Sequence, residues 1–314
     1  MKIHILMAVA LSSSSPGAWG WGKQGHQLVG QVAARVVSGE PESKFMKSMV
    51  FDFGYYNYVP DAIWKKPETY EKEKNEHFMD MEIFERAFKE KGTTKMDFRL
   101  SRKEFEAKYP DIKAEAGRAF WRIREMEESL RKITNELKAL SEESGKERQA
   151  LQEKWLVLAG TMGHYVADLG QPLHCTENYD GAMTDQRGIH AYFEIDLVDE
   201  NFPDLSAMVH KQAANKWKTF HKTSAQKSVL DLLIELAENS RKDVKTLLAL
   251  DKRKARTGSR KEAKRFEPLM VRHLVQASLT LAEIYSRHLG WKYDGNKFYF
   301  FAGEPAYIPA GEAK

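Results

Sequence analysis

One cysteine, Cys175, stands in a chain of 314 residues, so no internal disulfide can form. Stability must then come from packing or from bound metal. A strong charge of one sign is also missing: 49 lysines and arginines against 45 aspartates and glutamates leave a net +4, which permits an anionic substrate without demanding one. Proline is sparse at 10 residues, and no proline-rich linker or repeat divides the chain. Long apolar runs are absent too. The one candidate, Ile3 to Leu11, is broken by His4 and too short to span a bilayer as a mature helix, so no transmembrane anchor is expected. A hydrophobic fraction of 42% beside 30% charged residues describes an ordinary folded protein, neither disordered nor membranous.

What that short run does fit is a leader. Lys2 precedes it, a Ser/Pro/Gly stretch follows, and Ala18 and Gly20 are the small residues expected before a cleavage point. The order predicts a signal peptide over residues 1–20, a mature domain over 21–314, and export to the periplasm or beyond; the bland alternative is a buried N-terminal strand.

The remainder reads as helix nearly throughout. Gln27 to Val37 alternates at helical spacing, and Tyr70 to Lys91 reads as one charged helix. Phe120, Ile123, Met126, Leu130, Ile133, Leu137 and Leu140 recur at steps of three and four. Ser144-Gly145 breaks that pattern, and a second helix runs to about Asp168, stopped by Gly170 and Pro172. Further helices are predicted at Ile189–Leu197, Asp204–Lys222, Ser228–Ala249 and Arg265–His288, with Lys297–Phe301 a short strand or packed tail. The basic stretch Asp251 to Lys264 reads as a solvated helix end or loop. The fold class is all-α, a single multi-helix domain.

Within that frame, five of the ten histidines stand out. His164 and Asp168 are four residues apart, so both project from one helix face; His190 and Glu194 repeat the spacing. His174 follows the helix stop at Gly170-Gln171-Pro172. Upstream lie Asp61, in a loop after Pro60, and His77 in His77-Phe-Met-Asp80; Trp21 stands five residues before His26. Imidazole and carboxylate are ligands that zinc accepts, and two of them one turn apart chelate without strain. Any single pair also reads as a surface salt bridge or a satisfied core pair. Spacing alone does not show that they converge.

The segment Trp21-Gly-Lys-Gln-Gly-His26 resembles the mature start of the single-strand-specific zinc nucleases of fungi and plants, and Gly163-His-Tyr-Val-Ala-Asp-Leu-Gly-Gln-Pro-Leu-His174 resembles the motif they share with the bacterial zinc phospholipases C. The likeness runs in order from Trp21 to Glu194. It implies a trinuclear zinc cleft with no organic cofactor: one Zn2+ on Asp61, His77, His164 and Asp168, a second on His174, His190 and Glu194, and a third on the amine and carbonyl of Trp21 with His26, Asp168 bridging it to the first. The implied activity is phosphodiester hydrolysis by a zinc-activated hydroxide, with Asp168 as the catalytic carboxylate and single-stranded DNA or RNA as the substrate.

Two departures keep a phospholipid headgroup open as the alternative substrate. Glu194 stands where the nucleases carry aspartate, as in the phospholipases. Trp64, with Lys65 and Lys66 beside it, stands where they carry a phosphate-binding arginine. In the loop Thr176–Gly188, Tyr179 is a candidate for base stacking, Asn178 for base hydrogen bonding and Arg187, with Lys65, for phosphate; an ordinary structured turn tipped by Asp180-Gly181 is the alternative. Tyr55, Tyr56 and Tyr58 read as packing before platform. Cys175 reads as a small buried thiol, and His210, His221, His273 and His288 as helix-surface residues. A non-catalytic zinc-stabilised binding protein is a third reading.

Overall fold

Apolar stripes at helical spacing do form the helices, as a computed structural model describes them for residues 21–39, 41–141, 144–251, 256–293 and 304–311. The predicted leader over 1–20 and the segment Lys297–Phe301 lie outside the described residues. The elements are α1 (Gly22–Val37), α2 (Val50–Val59), α3 (Pro67–Glu73), α4 (Met81–Glu90), α5 (Arg102–Lys108), α6 (Ala119–Ala139) and α7 (Gly145–Leu169). After a loop come α8 (Ile189–Ala191) and α9 (Leu197–Glu200), then α10 (Phe202–Ser224), α11 (Val229–Lys242), α12 (Val244–Asp251) and α13 (Arg260–Arg287). No strand occurs among the described residues, and no helix there is long and apolar enough to cross a membrane.

The scaffold that matters for the site is four helices: α1 packs on α2 and α13, and α2 packs on α7. Their facing sides contribute Leu28, Val29, Val32, Phe53, Tyr56, Trp155, Met162, Leu281 and Tyr285 to one continuous apolar core. Burying each such side chain is worth roughly 1.5–3 kcal/mol, so with no disulfide to help, packing sets where the site-bearing helix faces meet.

Four readings need correction. Tyr70–Lys91 is two helices, not one, because residues 74–80 turn out of the helix and bond elsewhere: Arg118 N donates to Asn75 O at 2.8 Å, and Asp80 N donates to Ala116 O at 2.9 Å. Ser228–Ala249 also splits, at Asp243, whose carboxylate accepts from Arg272 at 2.6 Å and from His273 at 3.0 Å. His273 and His288 are therefore buried rather than surface residues; His288 pairs with Glu127 at 2.9 Å. The last helix begins at Arg260, because the Ser259 side chain caps it by accepting from Glu262 N.

Close approach of α7 to α2 depends on Gly163. A Cβ there would sit 2.4 Å from Asn57 Nδ2, 2.8 Å from Leu281 Cδ2 and 3.0 Å from the Tyr285 hydroxyl. Gly163→Ala is expected to cost about 1–3 kcal/mol through overpacking, read as a fall of several degrees in melting temperature. Gly145→Ala on the same helix, where a Cβ meets nothing within 4 Å, should not lower it; equal effects from both would contradict this packing account.

Candidate metal centre

Each of the eight predicted side-chain ligands is carried inward by a local feature of the chain. His26 lies on the buried face of α1, and His164 and Asp168 one turn apart on α7. Asp61 is not in a loop. It sits in a wide helical turn over Pro60–Trp64, closed by Lys65 N donating to Pro60 O at 3.2 Å. The extra residue per turn rotates the carboxylate toward the core; such turns recur at functional sites. A second wide turn, Tyr192–Asp196, carries Glu194 directly after His190 on α8.

His77 and His174 hold each other. Met79 N donates to His174 O at 2.9 Å, and His174 Nδ1 donates to His77 O at 2.9 Å. Gly117 makes this pairing possible: its φ is +95°, and a Cβ would lie 2.0 Å from Phe78 O.

The ligand atoms form three buried groups, each with its atoms within 4.8 Å of one another: His26, His164 and Asp168; Asp61, His77 and His164; His174, His190 and Glu194. A tetrahedral zinc with ligands at about 2.0–2.2 Å separates them by roughly 3.3–3.6 Å. The separations here bracket that span: His26–Asp168 is 3.4 Å, His164–Asp168 3.2 Å, His164–Asp61 3.6 Å, His190–Glu194 2.9 Å and His174–Glu194 3.8 Å.

Hydrogen bonding tests whether a cation fits. His174 Nδ1 donates to His77 O and His190 Nδ1 to Tyr179 O at 3.0 Å, so both protons are committed to carbonyls. Their Nε2 lone pairs then face each other across 3.1 Å, with Glu194 beside them. A cation between them, a proton or a metal ion, would be shared by both, with the Gln171 amide 3.4 Å from His190 Nε2. His164 is arranged likewise, Nδ1 donating to Asn57 O at 2.8 Å and Nε2 turned to the carboxylates. Six buried atoms of the eight side chains make no hydrogen bond to the described residues: His26 Nε2, Asp61 Oδ1 and Oδ2, His77 Nε2, Asp168 Oδ1 and Glu194 Oε1. Orphaned acceptors in such number are what a metal centre leaves behind.

Charge in this core follows burial and neighbours. Burial pushes the His164 pKa down to about 3, which keeps the ring neutral, the form that ligates. Burial also lifts Glu194 to about 7 against the pull of His190. For Asp61 burial opposes ionisation, but Lys65 at 2.6 Å, with His164 and His26, holds the carboxyl below the usual carboxylate range.

A cleft of about 350 Å³ opens at His174 and His190, lined among others by Lys65, Tyr70, Phe78, Asp80 and Tyr179. Of the proposed substrate contacts, Lys65 and Tyr179 line it, the Tyr179 ring 53% exposed. Asn178 does not reach out: its amide is bound within the loop to Thr184 Oγ1 and Met183 N. Arg187 is exposed and does not line the cleft; Arg256 grips the carbonyls of Gln186 and Arg187 at 2.6 Å each, so the loop is a built turn.

Three residues escaped the sequence reading. Asn57 braces two ligands at once, accepting from His26 Nδ1 at 3.3 Å and from His164 Nδ1, yet nothing in the pattern of α2 marks it. Gln171 donates to Glu194 at 3.0 Å; its place inside the Gly-Gln-Pro-Leu-His motif was a signal available to be used. Asp80, its carboxyl pushed up to about 7 by burial and by Glu82 and Glu177, offers the cleft a proton donor below that pH.

Exhaustive chelation is expected to lower the melting temperature by several degrees, since one ligand at 1,000 times its Kd contributes about 4 kcal/mol. Adding back a divalent ion should restore it. A melt indifferent to chelator would contradict a metal-held core.

No curated protein matches the chain. The family model described as S1/P1 Nuclease matches residues 21–289, which takes in all eight converging side chains and Trp21 at the head of α1. The helical bundle, its three buried ligand groups and this match agree: the chain belongs to the S1/P1 nuclease family, a family of metal-dependent phosphodiester hydrolases.

Proposed function

We propose that the chain is an exported zinc-dependent nuclease acting on single-stranded DNA or RNA. The observation that carries the metal part is the convergence of three buried ligand groups, among them His174 and His190 with their Nε2 atoms 3.1 Å apart beside Glu194. Nitrogen and oxygen ligands in groups of three or four suit Zn2+, and three ions are assigned as the resemblance implies, Asp168 standing among the first and third sets. Its Oδ1 lies 3.4 Å from His26, and its Oδ2 lies 2.9 Å from His77. Bound zinc would supply a water acidic near neutral pH and positive charge for phosphoryl oxygens.

The protein's own groups do the rest. Asp168, buried and ionised, orients the attacking water and fixes the spacing of the ligand sets. Lys65, its side chain nearly buried against Asp61, places a cation at the cleft where the family's arginine is missing; Trp64 turns away, its indole donating to Pro305 O at 3.1 Å. Tyr179 offers an exposed ring at the rim for a base. The third set needs a free α-amine at Trp21, so cleavage after Gly20 is an activation step. The full precursor is expected to be inactive beside the chain starting at Trp21, which a parallel assay checks.

The deciding assay gives the chain starting at Trp21 zinc, then single-stranded DNA and phosphatidylcholine in parallel. Loss of DNA supports the nuclease; phosphocholine release without DNA cleavage overturns it in favour of a phospholipase C. Asp168→Asn should cut turnover by more than the roughly 10–100-fold typical of losing an outer partner of a metal ligand. Tyr179→Ala should raise KM about 5-fold with kcat little changed, the low end of the roughly 1–3 kcal/mol of a stacked base; an unchanged KM would remove Tyr179 from the substrate path.

A further inference from the structure

His77 turns its Nδ1 to the carboxylate cluster: it lies 2.9 Å from Asp168 and 3.0 Å from His164 Nε2. Its Nε2 points the other way, 3.4 Å from Glu73 Oε1, one turn earlier in the chain. Glu73 is fully buried, and so are its neighbours. Tyr165, on α7, donates its hydroxyl to Glu73 Oε1, and the Arg122 guanidinium lies 3.6 Å from Oε2 and donates to the Tyr165 hydroxyl at 3.1 Å. A carboxylate, an arginine and a phenol are thus stacked behind a single imidazole, sealed from solvent, where none of them touches the cleft.

The chain's own C-terminal segment closes this stack. Residues 304–311 lie across Pro60–Trp64 and α6: Ile308 O accepts from Arg122 at 2.6 Å, and Pro305 O accepts from the Trp64 indole at 3.1 Å. The Tyr307 ring meets Trp64 edge-on at 5.6 Å. The segment is tied at both ends, by Glu304 to Lys66 and by Gly311 N donating to Glu125 at 2.9 Å. Without the Ile308 carbonyl, Arg122 would lose a hydrogen bond in a fully buried position. The Arg122 guanidinium, held there, faces Glu73 on the side away from His77.

We infer that Glu73 is a positioning residue that turns His77 so its Nδ1 meets the metal, and that the segment 304–311 is a strap holding Glu73 and Arg122 in that posture. The inference rests on the reading of His77 as a ligand. A carboxylate on the far nitrogen fixes the tautomer and orientation of a ligating imidazole and strengthens it as a donor. The strap lies outside the matched family region, which ends at residue 289.

The test uses the full mature chain loaded with Co2+, whose visible absorption reports ligand geometry, and titrated with a chelator while bound ions are counted. Glu73→Ala would strand a buried arginine and risks misfolding. Glu73→Leu with Arg122→Met removes the pair together at similar volume, which is often tolerated. That double variant is expected to fold, to release one ion at about 10–100-fold lower chelator concentration, and to show an altered cobalt spectrum, the remaining ions being unmoved. Glu73→Gln, which keeps an oxygen beside Nε2, should rescue most of the retention. Tyr307→Ala, which loosens the strap alone, should shift the same ion in the same direction by a smaller factor. A folded double variant that keeps every ion at the wild-type chelator concentration overturns the inference alone. A wild-type chain that takes up no ion overturns the metal-centre reading, and this inference with it.

Discussion

The structure depends on one electrostatic constraint: nitrogen and oxygen atoms that could hold a metal ion are gathered in three groups in a buried core. His174 and His190 Nε2 lie 3.1 Å apart, with Glu194 Oε2 at 3.8 and 2.9 Å from them, and positive charge shared among the three atoms is strongly favoured in a low dielectric. Each ring's other nitrogen is already committed to a backbone carbonyl, so the rings cannot turn away without stranding a buried polar group. The protein therefore holds its ligands by the same bonds that forbid them to relax, and folding energy from the apolar core is spent on keeping them together.

That constraint explains features that would otherwise look incidental. Two wide helical turns, at Pro60–Trp64 and Tyr192–Asp196, interrupt regular helix where a carboxylate has to be rotated inward. Residues 74–80 leave helical geometry where His77 must be delivered, and Gly117 accepts a left-handed backbone so that Phe78 O can pass. Gly163 lets α7 approach α2 closely enough for Asn57 to brace His26 and His164 together. Around them, Glu73 and Gln171 contact His77 and Glu194 rather than the cleft, and residues 304–311 contact Arg122 behind Glu73.

Much of this was legible in the sequence, for physical reasons. Helical periodicity marks a half-buried helix reliably, so α6 and α7 stand within a few residues of where the apolar steps of three and four put them. The pairs His164/Asp168 and His190/Glu194 were legible because one turn of helix guarantees a shared face, and the resemblance supplied their convergence with His26, Asp61, His77 and His174. What stayed hidden is set by long-range contacts. The break at residues 74–80 is made by backbone bonds to residues 116–119 and to His174, which local spacing does not record. His273 and His288 look like surface residues until Asp243 and Glu127 are found across from them. Asn57, Glu73 and Arg122 carry no periodic or motif signal, because each acts through a tertiary contact.

The central claim, that the three buried groups are a metal centre, is tested most directly by anomalous diffraction at the zinc edge from crystals of the chain starting at Trp21. The account predicts separate peaks between His174, His190 and Glu194, between Asp61, His77 and His164, and beside His26 and Asp168. Hydrogen-bonded imidazoles at those places, with no anomalous scatterer after zinc soaking, would contradict it.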